Sequence, residues 1–177
     1  MLKALKIFSR ARGGMAAAEF ALILPVMLVL VFGAIEVTSA LICKADVSQT
    51  ASTASDLIAQ EIDVSDADMT NVQNALTSLV YPFSTTNLHI VITSVVDDGN
   101  GGATVAWSDA YQATARTEGT PVTVPTGLIT TGGSVIMAEV TYNYTTPSNY
   151  LINMPITMTD VFYSHPRRVP QITRTRG

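Results

Sequence analysis

Two acids bracket an apolar run near the start of the chain, and no other residues offer chemistry as specific. From Phe20 to Ile35 the sequence reads FALILPVMLVLVFGAI, with no charged or strongly polar side chain. Glu19 precedes the run and Glu36 follows it. An ionised carboxylate in hydrocarbon costs several kcal/mol, so an acid at this place marks a functional position unless it reaches the headgroups. The other reactive side chains are dispersed. His89 and His165 have no metal-ligand spacing to acids or to Cys43, the one cysteine. Asp97-Asp98-Gly99-Asn100-Gly101 has some likeness to a calcium loop, but the later bidentate Glu is missing, and the segment reads as a solvated hairpin turn. No nucleophile elbow or phosphate loop is present. The expectation is no catalytic residue, no metal and no cofactor, so not an enzyme.

The element that must position Glu19 is a membrane helix. With Met15–Ala18 before it and Val37–Cys43 after it, the low-polarity stretch exceeds the roughly 20 residues that a spanning helix needs. We expect a transmembrane helix over 15–43, behind a basic leader over 1–14. Lys3, Lys6, Arg10 and Arg12 precede the run with no acid among them, and basic flanks stay cytoplasmic. Between Ala45 and Pro166 there are twelve acids and one base, Arg116, the opposite of a nucleic-acid binder's balance. The remaining part of the chain is therefore expected outside the cytoplasmic membrane, on the periplasmic side. Bases return at Arg167, Arg168, Arg174 and Arg176. A single cysteine excludes an internal disulfide, so the outer part must hold together by its core.

A removed signal peptide fits less well than a retained anchor. Glu19 interrupts what would be a purely apolar segment, Glu36 stands where a cleavage region would begin, and the small residues at Thr38-Ser39-Ala40 would make an unusually long signal. A lipoprotein needs a small residue before its cysteine, and Ile42 precedes Cys43.

Beyond Cys43 the helix is expected to continue as a stalk over 44–62. Val47, Ala51, Ala54 and Ile58 form an apolar stripe, with Ser48, Thr50, Ser52, Ser55 and Asp56 opposite. Ser65-Asp66-Ala67-Asp68 is a capping-box signature. It predicts a second helix with Met69, Val72, Leu76 and Leu79 on one face, ending before Pro82. The period then changes. Leu88–Val96 reads as a strand, Asp97–Gly102 as its turn and Ala103–Trp107 as the hairpin partner. Tyr111–Thr131 reads as a connector. Ser134–Thr145 is a third strand, whose Tyr142 and Tyr144 are expected in a sheet core rather than a contact patch. A loop around Pro147–Tyr150 leads to a last strand near Ile156–Tyr163. The fold class is α+β: a long N-terminal helix, one further helix and a roughly four-stranded antiparallel sheet, the last two forming a head over 63–177.

Several residues around Glu19 carry a family resemblance: Arg12-Gly13-Gly14, Ala17-Ala18-Glu19-Phe20-Ala21-Leu22, Leu24-Pro25 and Phe32-Gly33-Ala34-Ile35-Glu36. Together they resemble the processing site and helix of type IV pilin-like proteins, most closely the TadE/TadF pseudopilins of tight-adherence (Flp, type IVb) pilus systems. The ending Tyr163-Ser164-His165-Pro166-Arg167-Arg168 is loosely similar to TadE-like tails. The resemblance implies cleavage between Gly14 and Met15 by a prepilin peptidase, with Glu19 fifth and Phe20 sixth in the mature chain. It also implies assembly with other pilins through the N-terminal helix, in contact with membrane lipid. The new amine at Met15 would lie one turn before Glu19, and groups at i and i+4 share a helix face. A carboxylate in the first turn also meets the positive end of the helix dipole. Cleavage would thus create the partner that makes Glu19 tolerable, on its own chain or a neighbour's. Pro25 kinks a helix, and neighbouring helices compensate for the lost donor. Gly33 leaves room for close approach. Glu36 is either an interfacial acid or an assembly residue. The implied function is that of a minor, non-catalytic pseudopilin in pilus biogenesis. The alternative is an uncleaved, membrane-anchored envelope module for binding or scaffolding.

Overall fold

The computed structural model describes residues 12–146 and 154–177, with side chains from Met15 onward. Lys3, Lys6, Arg10 and the loop around Pro147–Tyr150 lie outside the described residues. The first element is helix α1, Arg12–Ala59, 48 residues long. It runs without a break through the apolar run, Cys43 and the stripe, and ends three residues before Ile62. A two-residue strand β1 (Asp63–Val64) follows, then helix α2 (Asp66–Leu79) and strands β2 (Leu88–Asp97), β3 (Ala103–Tyr111), β4 (Ser134–Tyr144), β5 (Ile156–Ser164) and β6 (Thr173–Arg174). The fold is α+β, with a four-stranded antiparallel sheet in the order β3-β2-β4-β5. β1 and β6 pair in parallel as a separate small sheet, an element that sequence periodicity did not suggest.

The described residues fall into two compact units. One contains α1 through Ala40 together with Thr146; the other contains Leu41–Thr145 and Met154–Gly177. In this second, α+β unit, the helix stripe Val47, Ala51, Ala54 and Ile58 is fully buried. So is one face of the central strands: Leu88, Ile90 and Ile92 from β2, and Ile136, Ala138, Val140, Tyr142 and Tyr144 from β4. Each buried Ile or Val side chain contributes roughly 1.5–3 kcal/mol. Hydrogen bonds fix the helix along β5. Lys44 Nζ donates to Thr159 O at 2.9 Å, Ser164 Oγ to Ser55 Oγ at 3.0 Å, and the Arg167 amide to Ala59 O at 2.9 Å.

The polar side of this helix segment is not wholly a solvent face, in contrast to the pattern read from sequence. Thr50 and Ser55 are fully buried. Their hydroxyls are satisfied by the helix itself, Thr50 on Asp46 O at 2.7 Å and Ser55 on Ser52 O at 3.0 Å. Such back-bonding removes the desolvation cost that would otherwise keep a hydroxyl at the surface. The buried arc is therefore wider than the four-residue stripe.

Helix α2 starts as its sequence predicts. Ser65 Oγ accepts from the Asp68 amide at 3.2 Å, and the Asp68 carboxylate accepts from the Ser65 amide at 3.0 Å. Met69 and Leu76 are buried, and Val72 and Leu79 half-buried. Tyr142 and Tyr144 belong to the core, each edge-to-face with Phe83 at 6.3 and 5.9 Å between ring centres. Tyr142 donates to Ser84 O at 2.9 Å. The connector after β3 is more than a link. Its Val122, Val124, Leu128 and Ile129 cover a second small core of Val95, Ala103, Val135 and Met137 on the sheet's other face.

The hairpin turn consumes its own acids. Asp98 Oδ1 accepts from the Asn100 and Gly102 amides, both at 2.8 Å, and Asp97 Oδ2 from the Gly132 amide at 2.8 Å. Gly99 and Gly101 have φ of 73° and 84°, a left-handed backbone that glycine adopts without strain.

The residues after β5 form a strap. Trp107 Nε1 donates to Ile172 O at 2.8 Å, and Ser134 Oγ to Pro170 O at 2.7 Å. Arg174, whose side chain is only 4 % exposed, bonds Asp109 at 2.7 Å and Asp66 at 2.6 Å. Arg176 bonds Glu118 at 2.8 Å, and Arg167 pairs with Asp56. Bases at the end of the chain thus pair with Asp56, Asp66, Asp109 and Glu118 from its acid-rich middle, within one unit. The Gly177 amide and the Arg174 guanidinium hold the Asp66 carboxyl below its ordinary range.

Candidate functional site on the N-terminal helix

The structure places Gly14 and Met15 in the first turns of α1, which begins at Arg12. Helix-forming alanines at 16, 17 and 18 follow, so the backbone from Met15 to Glu19 is one regular turn, a rise of about 6 Å. Met15 is 67 % exposed and Phe20 59 % exposed, and Glu19 and Pro25 are exposed as well. From Met15 through Phe32 every residue is exposed. The helix is thus long and apolar enough to cross a membrane, with its apolar side chains turned outward rather than into a protein core. At 1.5 Å per residue, the stretch from Met15 to Ile35 measures about 30 Å, the thickness of a hydrocarbon core.

Helical order continues through Pro25. The proline has no N–H, so the Ala21 carbonyl loses its helical donor. In hydrocarbon that carbonyl needs another donor, and a packed neighbour is one source. Glu36 is buried, 1 % exposed.

Other candidate residues do not converge. His89 Nδ1 contacts Gln112 O, and His165 Nε2 lies 2.7 Å from Leu128 O. Each ring is taken up by a backbone carbonyl of the connector. Among the described residues no group of three or more His, Cys, Asp or Glu side chains is arranged to hold a metal. Cys43 is buried.

One functional-looking cluster escaped the sequence reading. Lys44 Nζ lies 2.8 Å from Asp160 Oδ2, and the Ser48 hydroxyl donates to the same carboxylate. Lys44 and Ser48 hold the Asp160 carboxyl below its usual range. Lys44 and Ser48 are one turn apart, a visible signal, but the partner is more than a hundred residues away and only the fold joins them.

The segment carrying Gly14, Met15, Glu19, Phe20 and Pro25 also matches a known family. Residues 14–56 match the family model described as TadE-like protein. The chain carries a TadE-like segment. That segment opens at Gly14 and closes three residues before the end of α1, so it comprises almost the whole helix and none of the sheet. It connects the chain with Tad pilus systems, whose TadE-like components are structural. No curated protein and no solved structure matches this chain.

Proposed function

We propose that this protein is a minor pseudopilin of a tight-adherence (type IVb) pilus, a structural subunit acting in pilus assembly. It is made with a cytoplasmic basic leader over 1–14, and a prepilin peptidase cuts between Gly14 and Met15. The mature chain keeps a single-pass helix over 15–43 in the cytoplasmic membrane, continues as a stalk over 44–62, and presents the 63–177 head on the periplasmic side. The observation that carries this reading is the exposed Glu19 one helical turn past Met15, at the start of an outward-facing apolar helix whose TadE-like match opens at Gly14.

The chemistry follows from that placement. Cleavage leaves an ammonium at Met15, and the i, i+4 spacing puts it on the Glu19 face. When the helix packs among other pilin helices, the acid loses access to water, and an acid buried without a partner costs several kcal/mol. An amine from the same or a neighbouring chain offsets much of that cost. The pair also fixes axial register between helices, as one buried polar residue does in a coiled coil. Phe20 and the outward apolar side chains supply the packing surface, and a neighbour's donor can serve the carbonyl that Pro25 leaves open.

Cleavage is tested by the N-terminus of the protein purified from membranes. Met15 is expected as the first residue, and Gly14→Trp should leave the chain at full length. Normal maturation of the Gly14→Trp variant would contradict the reading and favour an uncleaved envelope anchor.

A further inference from the structure

The sheet has two edges, and they are protected differently. Along β3, the segment Gly119–Val122 adds strand-like bonds, with the Gly119 amide on Val105 O at 2.8 Å and the Val122 amide on Ala103 O at 2.8 Å. Farther along, Arg176 donates to Ser108 O at 3.1 Å. β5 is the other edge, and no described strand pairs with its outer side.

The register tells which backbone groups of β5 face outward. The Asp97 amide donates to Gly133 O, just before β4, so the odd-numbered residues of β2 bond toward β4. Their partners are Val135, Met137, Glu139 and Thr141. Ladder groups alternate in direction along a strand. The even-numbered residues of β4 therefore bond β5, through Ser164, Phe162, Asp160, Met158 and Ile156. Thr157, Thr159, Val161 and Tyr163 are left with N–H and C=O turned away from the sheet.

An incoming strand would need the middle of this row, and the middle is occupied. Lys44 Nζ donates to Thr159 O at 2.9 Å. Asp160 Oδ1 accepts from the Val161 amide at 3.0 Å. The same carboxylate, through Oδ2, holds Lys44 at 2.8 Å and the Ser48 hydroxyl. One acid thus caps the edge's central donor and positions the lysine that caps its central acceptor. The guarded edge is otherwise sticky: Ile156, Val161 and Phe162 are 37 %, 36 % and 38 % exposed. Long apolar edges template pairing with other chains unless blocked by charge.

We propose that Lys44, Ser48 and Asp160 form an edge guard, which keeps copies of this chain from adding strand to strand along β5. The inference depends only on the α+β unit and stands whether or not the chain is a pseudopilin.

The test uses the full chain in detergent micelles at several protein concentrations, with self-association measured by sedimentation and amide exchange read residue by residue. The Lys44→Met/Asp160→Ala variant is expected to associate at least about tenfold more tightly than wild type. The Val161 and Tyr163 amides should gain concentration-dependent protection. Adding Val161→Pro removes an outward N–H without costing a bond to β4, and should abolish the gain. Should the double variant lose exchange protection in β2 and β4, Lys44→Met alone, which frees Thr159 O, carries the same expectation. Association equal to wild type, or a gain that survives Val161→Pro, would overturn the proposal.

Discussion

At the scale of single residues, Arg174 shows how far a side chain's role can lie from its appearance in sequence. The four late bases look like a polar tail, yet Arg174 is enclosed between Asp109 and Asp66 and also donates to Val64 O at 3.2 Å. Removing one partner of a buried ion pair leaves the other charge uncompensated. Arg174→Met keeps the stem and deletes the charge, and should destabilise the α+β unit by about 2–3 kcal/mol, less than a fully buried pair because Asp66 is exposed. Thermal unfolding of the detergent-solubilised chain checks it. An unchanged midpoint would show that the strap is held by β6 and Trp107 instead. Neither this pair nor Lys44–Asp160 was legible beforehand, because each joins residues more than sixty positions apart. Glu19 stands out in the sequence because its oddity is local: a charge where its neighbours are apolar.

At the scale of elements, local signals did most of their work where one segment carries both pattern and cap. Helix α2 is the clearest case, with Ser65 and Asp68 bonded reciprocally at its start. Ser65→Ala should lower stability by about 1 kcal/mol through loss of that cap, measurable as a shift in the unfolding midpoint. A shift near zero would mean that water replaces the hydroxyl. Strands β2, β4 and β5 were visible because runs of branched and aromatic residues are bounded by turns. β3 extends four residues beyond Trp107, to Tyr111, since pairing with β2 carries the ladder past the apolar part of its sequence. β1 and β6 are two residues each, too short to show a period. The connector hid its role for a related reason: Val122, Val124, Leu128 and Ile129 are scattered among Thr, Pro and Gly, with neither helical nor strand spacing.

At the scale of the whole molecule, the late bases of the α+β unit pair with acids of α1, α2 and β3, while every residue of α1 from Met15 through Phe32 is exposed. This division fits a subunit that folds by its head and assembles by its helix. The charge asymmetry around the run predicts orientation. An enzyme reporter active only outside the cytoplasm, fused after Gly177, is expected to be active, and activity of a cytoplasmic reporter instead would reverse the topology. In the proposed function Glu19 serves assembly and is not needed for processing. The most direct measurement pairs the amount of mature-size protein with the number of surface pili in cells carrying Glu19→Ala at ordinary expression. A processed, inserted and stable subunit that does not support pili is expected, with Glu19→Gln partly defective because it retains hydrogen bonding without charge. Normal piliation by Glu19→Ala would contradict it and reduce Glu19 to an acid that reaches the headgroups.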